Sequence, residues 1–84
     1  MSPKLPVISG RELLKFFSNN VFQLVRQRGS HMVMRRIQEP HTILVIPDHS
    51  ELDRGTLRSI IRDSGISIEE FLKKIQITHN LLKN

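Results

Sequence analysis

Val21-Phe22-Gln23-Leu24-Val25-Arg26 and His31-Met32-Val33-Met34-Arg35-Arg36, separated by a turn at Arg28-Gly29-Ser30, form the stretch that decides the fold. The first arm is rich in β-formers and roughly alternates, as a strand does; the second carries apolar residues on both faces, so its pattern leaves open which face His31 takes. Gly29 accepts the positive φ that a tight hairpin turn demands. A loop ended by Pro40 leads into a third arm, His41-Thr42-Ile43-Leu44-Val45-Ile46, which Pro47 stops. The expectation is three consecutive antiparallel strands.

Working outward, Ser9-Gly10-Arg11-Glu12 before the hairpin reads as a capping box. The Ser9 hydroxyl can accept from the Glu12 amide while the Glu12 carboxylate accepts from the Ser9 amide. Leu13, Leu14, Phe16 and Phe17 follow at helical spacing, and Asn19-Asn20 is a stop. Beyond the third strand, Asp48 to Leu52 is a polar loop. Asp53 then caps a helix with Leu57, Ile60 and Ile61 on one side and Gly65 at its end. Ser67-Ile68-Glu69-Glu70 is a second capping box, opening a helix with Ile68, Phe71, Leu72 and Ile75 at i, i+3, i+4 and i+7.

The predicted class is α+β, in the order α-β-β-β-α(-α). A three-stranded antiparallel sheet has its helices packed on one face, and the layout resembles a double-stranded-RNA-binding domain. Residues 1–84 make one domain, with 1–8 a loose lead-in and 76–84 a tail that continues the last helix or frays. Ile75, Ile77, Leu81 and Leu82 serve there either as core cover or as a contact surface.

Thirteen Lys and Arg against eight Asp and Glu give a net charge of +5. This excess favours a polyanionic partner. There is no cysteine, which excludes disulfides and thiolate metal sites. No apolar run approaches about 18 residues and the N-terminus lacks a signal-like stretch, so the expectation is a cytoplasmic protein without a membrane partner. A chain of 84 residues has little room for a large cavity, so any site should be shallow. No cofactor is expected. His31, His41, His49 and His79 lack the spacing of metal ligands, so no metal is expected either.

Arg26, Arg28, Arg35 and Arg36 fall within eleven residues free of acidic groups. Antiparallel pairing gathers them into a patch that either binds phosphates or simply keeps a sheet edge soluble. His31 lies inside it. Imidazole gives or takes a proton near neutral pH, and RNA carries its own nucleophile in the 2′-hydroxyl. One histidine with arginines therefore suits metal-free RNA cleavage, although a histidine at a strand start also serves purely structural ends. Ser30 precedes His31 on the opposite face and either shapes the turn or bonds a phosphate. Arg54, Arg58 and Arg62 form a stripe along the second helix, either a second phosphate-contacting surface or an ordinary solvated face.

Four blocks then stand in a familiar order: Ser9-Gly10-Arg11-Glu12-Leu13-Leu14, Leu24-Val25-Arg26-Gln27-Arg28-Gly29-Ser30-His31, Val45-Ile46-Pro47-Asp48-His49, and Arg54-Gly55-Thr56-Leu57-Arg58-Ser59-Ile60-Ile61-Arg62. From about Ser9 to Leu72 the chain resembles the HicA toxins. That resemblance implies the toxin of a type II toxin–antitoxin pair, an mRNA interferase with a fold like a double-stranded-RNA-binding domain. It also implies inhibition by a HicB-like antitoxin that covers the active surface. The family's essential histidine maps onto His31, its Gly-Ser pair onto Gly29 and Ser30, and a frequent second histidine onto His49. One departure is local: the family commonly has a glycine just before the Phe, where this chain has Asn19-Asn20-Val21. The competing expectation is a non-catalytic RNA-binding module.

Overall fold

The computed structural model describes the backbone of residues 5–83 and the side chains of residues 5–76. Six elements follow one another: α1 (Gly10–Ser18), β1 (Phe22–Arg28), β2 (His31–Arg36), β3 (Ile43–Pro47), α2 (Arg54–Ser64) and α3 (Ile68–Lys83). The strands form an antiparallel sheet in the order β1-β2-β3. The order and type of the elements are those predicted from the sequence.

Each helix begins on a polar cap. Ser9 and Glu12 exchange both bonds of the first capping box, at 3.0 and 3.1 Å. The Asp53 carboxylate accepts from the Thr56 amide at 2.8 Å, and Gly65 closes α2 with φ 83°. At α3 the Ser67 hydroxyl accepts from the Glu70 amide at 3.1 Å, which is one half of the second box.

Alternation divides the sheet into a covered and an open face. Met32 and Met34 of β2, Leu44 and Ile46 of β3 and Phe22 of β1 are buried. They meet Leu13, Phe16 and Phe17 of α1, Leu57, Ile60 and Ile61 of α2, and Phe71 of α3 in one apolar cluster. All four phenylalanines of the chain stand in one edge-to-face row. Its ring centroids are 4.8 Å apart for Phe71 and Phe16, 5.2 Å for Phe16 and Phe17, and 5.3 Å for Phe17 and Phe22. Leu5 and Ile8, at the end of the stretch expected as a loose lead-in, are buried in the same cluster. The Ile8 carbonyl also accepts from the Leu52 amide at 2.9 Å. Residues 1–4, and the side chains of Ile77, Leu81 and Leu82, lie outside the described residues; Ile75 is half-buried against the core.

Three local details differ from the sequence reading. First, β1 runs on through Gln27 and Arg28, so the hairpin turn is only Gly29-Ser30. Gly29 has φ 54° at the first of the two turn positions, the positive value that a type II′ turn places there. Second, Val21 is not in the strand. It takes φ 64° in the link between α1 and β1, while its carbonyl accepts from the Ile37 amide at 2.9 Å. Third, β3 starts at Ile43 and includes Pro47. A proline is tolerated there because β3 is an edge strand and Pro47 is its last residue.

Candidate functional site

Which way His31 points follows from the register. Residues directly opposite one another in an antiparallel pair share a face. His31 faces Arg28 on β1 and Pro47 on β3; Val33 faces Arg26 and Val45; Arg35 faces Gln23 and Ile43. Met32 and Met34, between them on β2, are fully buried under the helices. His31, Val33 and Arg35 therefore lie on the open side of the sheet, and His31 is exposed.

Arg26 and Arg28 reach that side through an irregularity. Strict alternation from the buried Phe22 would send Leu24, Arg26 and Arg28 toward the helices. A β-bulge between Leu24 and Arg26 inserts Val25 as an unpaired residue and resets the alternation. The result is an open face with His31 beside Arg28, Arg26 one diagonal away, and Arg35 at the far end of β2. Between the cations lie Val33, Val45 and Ile43, the last two 48% and 52% exposed.

Arg36 does not join this group. It pairs with Phe22, lies on the other side of the sheet at its end, and donates from Nη1 to the Glu39 carbonyl at 3.2 Å. Gly29 and Ser30 are exposed in the turn next to His31. His49 is exposed in the loop after β3, and its carbonyl accepts from the Gly10 amide at 2.9 Å. Arg54 and Arg58 are exposed on α2. Gly55, Thr56, Ser59 and Asp63 line a groove against β3. Helical periodicity then sets Arg54 and Arg58 on the opposite flank of α2, away from the open sheet face.

The residues that brace this end of the sheet were not singled out by sequence reasoning. Asp48, directly after Pro47, accepts from Arg11 Nε at 3.1 Å and Nη2 at 2.9 Å, and from Gln27 Nε2 at 3.1 Å. Its amide donates to the Ser30 carbonyl at 2.6 Å. The Arg11 hydrogen bond is the main cause that holds the Asp48 carboxyl below its ordinary range, with Gln27 and the nearby His49 acting in the same direction. Asp53 is lowered as well, chiefly by its bonds to Thr56. Gly10 sets the distance between α1 and this loop: a Cβ there would lie 1.8 Å from the Pro47 carbonyl oxygen. The one signal in the sequence was an Asp next to a strand-ending Pro, which also describes many ordinary loops.

Chemically, the open face offers one imidazole able to exchange a proton and three guanidinium groups suited to phosphate oxygens. Among the described residues no three histidine or acidic side chains gather closely enough to hold a metal ion. None of the described helices is long and apolar enough to cross a membrane. One family model, described as the HicA toxin of bacterial toxin–antitoxin, matches residues 10–66. No curated protein and no solved structure matches the chain.

Proposed function

Because the chain belongs to the HicA toxin family, the toxins of bacterial toxin–antitoxin pairs, we propose that it is an mRNA endonuclease whose chemistry centres on His31. The observation that carries this reading is the exposed His31 ring position on the open sheet face, directly across from Arg28 and diagonal to Arg26. An RNA backbone laid over this face meets guanidinium groups at its phosphates and an imidazole at one ribose–phosphate junction.

In the proposed step the ribose 2′-hydroxyl attacks the adjacent phosphorus and the bond to the 5′-oxygen breaks. His31 takes the hydroxyl proton or supplies the proton to the leaving 5′-oxygen. Arg28 and Arg26 stabilise the charge that builds on the phosphorane oxygens, and Gly29 and Ser30 border the path of the backbone. The second proton transfer falls to water or to His49. This route uses the nucleophile of RNA itself and calls for no metal. The partner in this reading is a HicB-like antitoxin of acidic surface, which silences the enzyme by covering the same basic face.

The test separates binding from cleavage. The His31→Ala variant should bind an RNA transcript with unchanged affinity and cut it at least about a hundredfold more slowly. Wild-type products should carry 2′,3′-cyclic phosphate ends. Linear 3′-hydroxyl ends alone would exclude this route, and undiminished cutting by the variant would remove His31 from it. A wild-type protein that binds RNA without cutting would favour the binding-module reading.

A further inference from the structure

Both residues of the turn that precedes His31 are bare. Gly29 and Ser30 are exposed, and apart from the two chain neighbours no residue comes within 4 Å of a Cβ built at Gly29. Side-chain packing therefore does nothing to fix the backbone from which His31 projects. Beside the ladder that pairs His31 with Arg28 and Pro47, what holds the turn is a set of hydrogen bonds that meet at Asp48. The Asp48 amide donates to the Ser30 carbonyl at 2.6 Å, and Gln27 Nε2 donates to the Gly29 carbonyl at 3.1 Å. The same Gln27 nitrogen donates to the Asp48 carboxylate at 3.1 Å, and Arg11 grips that carboxylate through two nitrogens. Each turn carbonyl is thus tied to one assembly, and the assembly is anchored on α1.

We infer that Asp48 is a positioning residue which, with Arg11 and Gln27, fixes the Gly29-Ser30 turn and so holds the His31 backbone in register with Arg28. This rests on the proposed cleavage at His31. An ion pair that only stabilises the fold is the alternative, and an exposed pair of that kind contributes little. The geometry favours the positioning role because the partners come from three separate parts of the chain, α1, the β1–β2 hairpin and the loop after β3, and converge on the two residues before the histidine. A displacement of about 1 Å at a reacting group can cost up to about a hundredfold in rate, whereas phosphate binding tolerates more.

The experiment compares the full-length wild type with His31→Ala, Asp48→Asn and Gln27→Met on one RNA transcript of mixed sequence. Steady-state kcat and KM are measured well below the melting temperature of each variant. Asp48→Asn should lower kcat about tenfold to a hundredfold with KM unchanged. Gln27→Met, on an exposed strand position, should lower kcat in the same way but less. Should Asp48→Asn not fold, Gln27→Met decides alone. Wild-type kcat in the folded variants beside an inert His31→Ala overturns the positioning role and leaves the nuclease reading intact. A rise in KM at constant kcat also overturns it, by moving Asp48 to RNA binding. Cleavage by His31→Ala overturns the nuclease reading and this inference with it.

Discussion

Val21 shows what one backbone angle does in so small a protein. A β-branched residue at φ 64° is crowded against its own carbonyl, at about 1–2 kcal/mol. The same position is commonly glycine in the family that the sequence resembles, and the structure supplies the reason. Val21→Gly should raise stability by about 0.5–1 kcal/mol, the relieved strain less the entropy glycine adds to the unfolded chain. Chemical denaturation measures this directly; a lower midpoint would show that the Val21 side chain contributes packing worth more than the strain. At Asp48 the sign of the pH effect follows from the lowered carboxyl. Its stabilisation is complete above its ordinary value of 3.8 and disappears as the pH falls through the lower folded value. Asp53 adds the same trend. Unfolding followed from neutral pH into acid should show a smaller acid loss in Asp48→Asn than in wild type, and an equal loss would free Asp48 of that role. In the sequence Asp48 was legible only as part of a polar loop, and Val21 read as the start of a strand. Arg11 and Gln27 lie 37 and 21 residues from Asp48, so no local pattern joins them.

Among the elements, the helices were legible because their caps and apolar spacing are local. The strands were legible in kind but not in phase. Arg26, Arg28, Arg35 and Arg36 stand close together in sequence, yet the pleat sends Arg36 to the other side, and only the bulge at Val25 turns Arg26 and Arg28 outward. Nothing in the composition of β1 announces that extra residue. Deleting Val25 would heal the ladder without changing the partners of Arg26 and Arg28, so the shortened chain should fold and keep its RNA affinity. A folded deletion variant with lost affinity would show that the bend of the bulge, and not the phase it sets, places the guanidinium groups. At the start of α1 the constraint is steric. Gly10→Ala drives a methyl group into the Pro47 carbonyl and should cost about 1–3 kcal/mol by thermal or chemical denaturation. An unaltered midpoint would mean that the loop yields freely.

For the molecule as a whole, charge and core lie on opposite sides of one sheet. Binding through Arg26, Arg28 and Arg35 to a single RNA strand should give a plot of log affinity against log salt with a slope of about −2. A much steeper slope would bring the α2 arginines into the contact, and a flat one would mean that the open face does not hold phosphates. The fold class was readable from the alternating arms and amphipathic helices, whereas the placement of the basic groups depended on contacts that only the folded chain makes. On the buried side, the row of Phe71, Phe16, Phe17 and Phe22 joins α3, α1 and β1. The chain has neither tryptophan nor tyrosine, so these four rings are its only aromatic chromophores. Near-ultraviolet circular dichroism of this protein is therefore a direct optical readout of helix docking, free of any signal from the open sheet face.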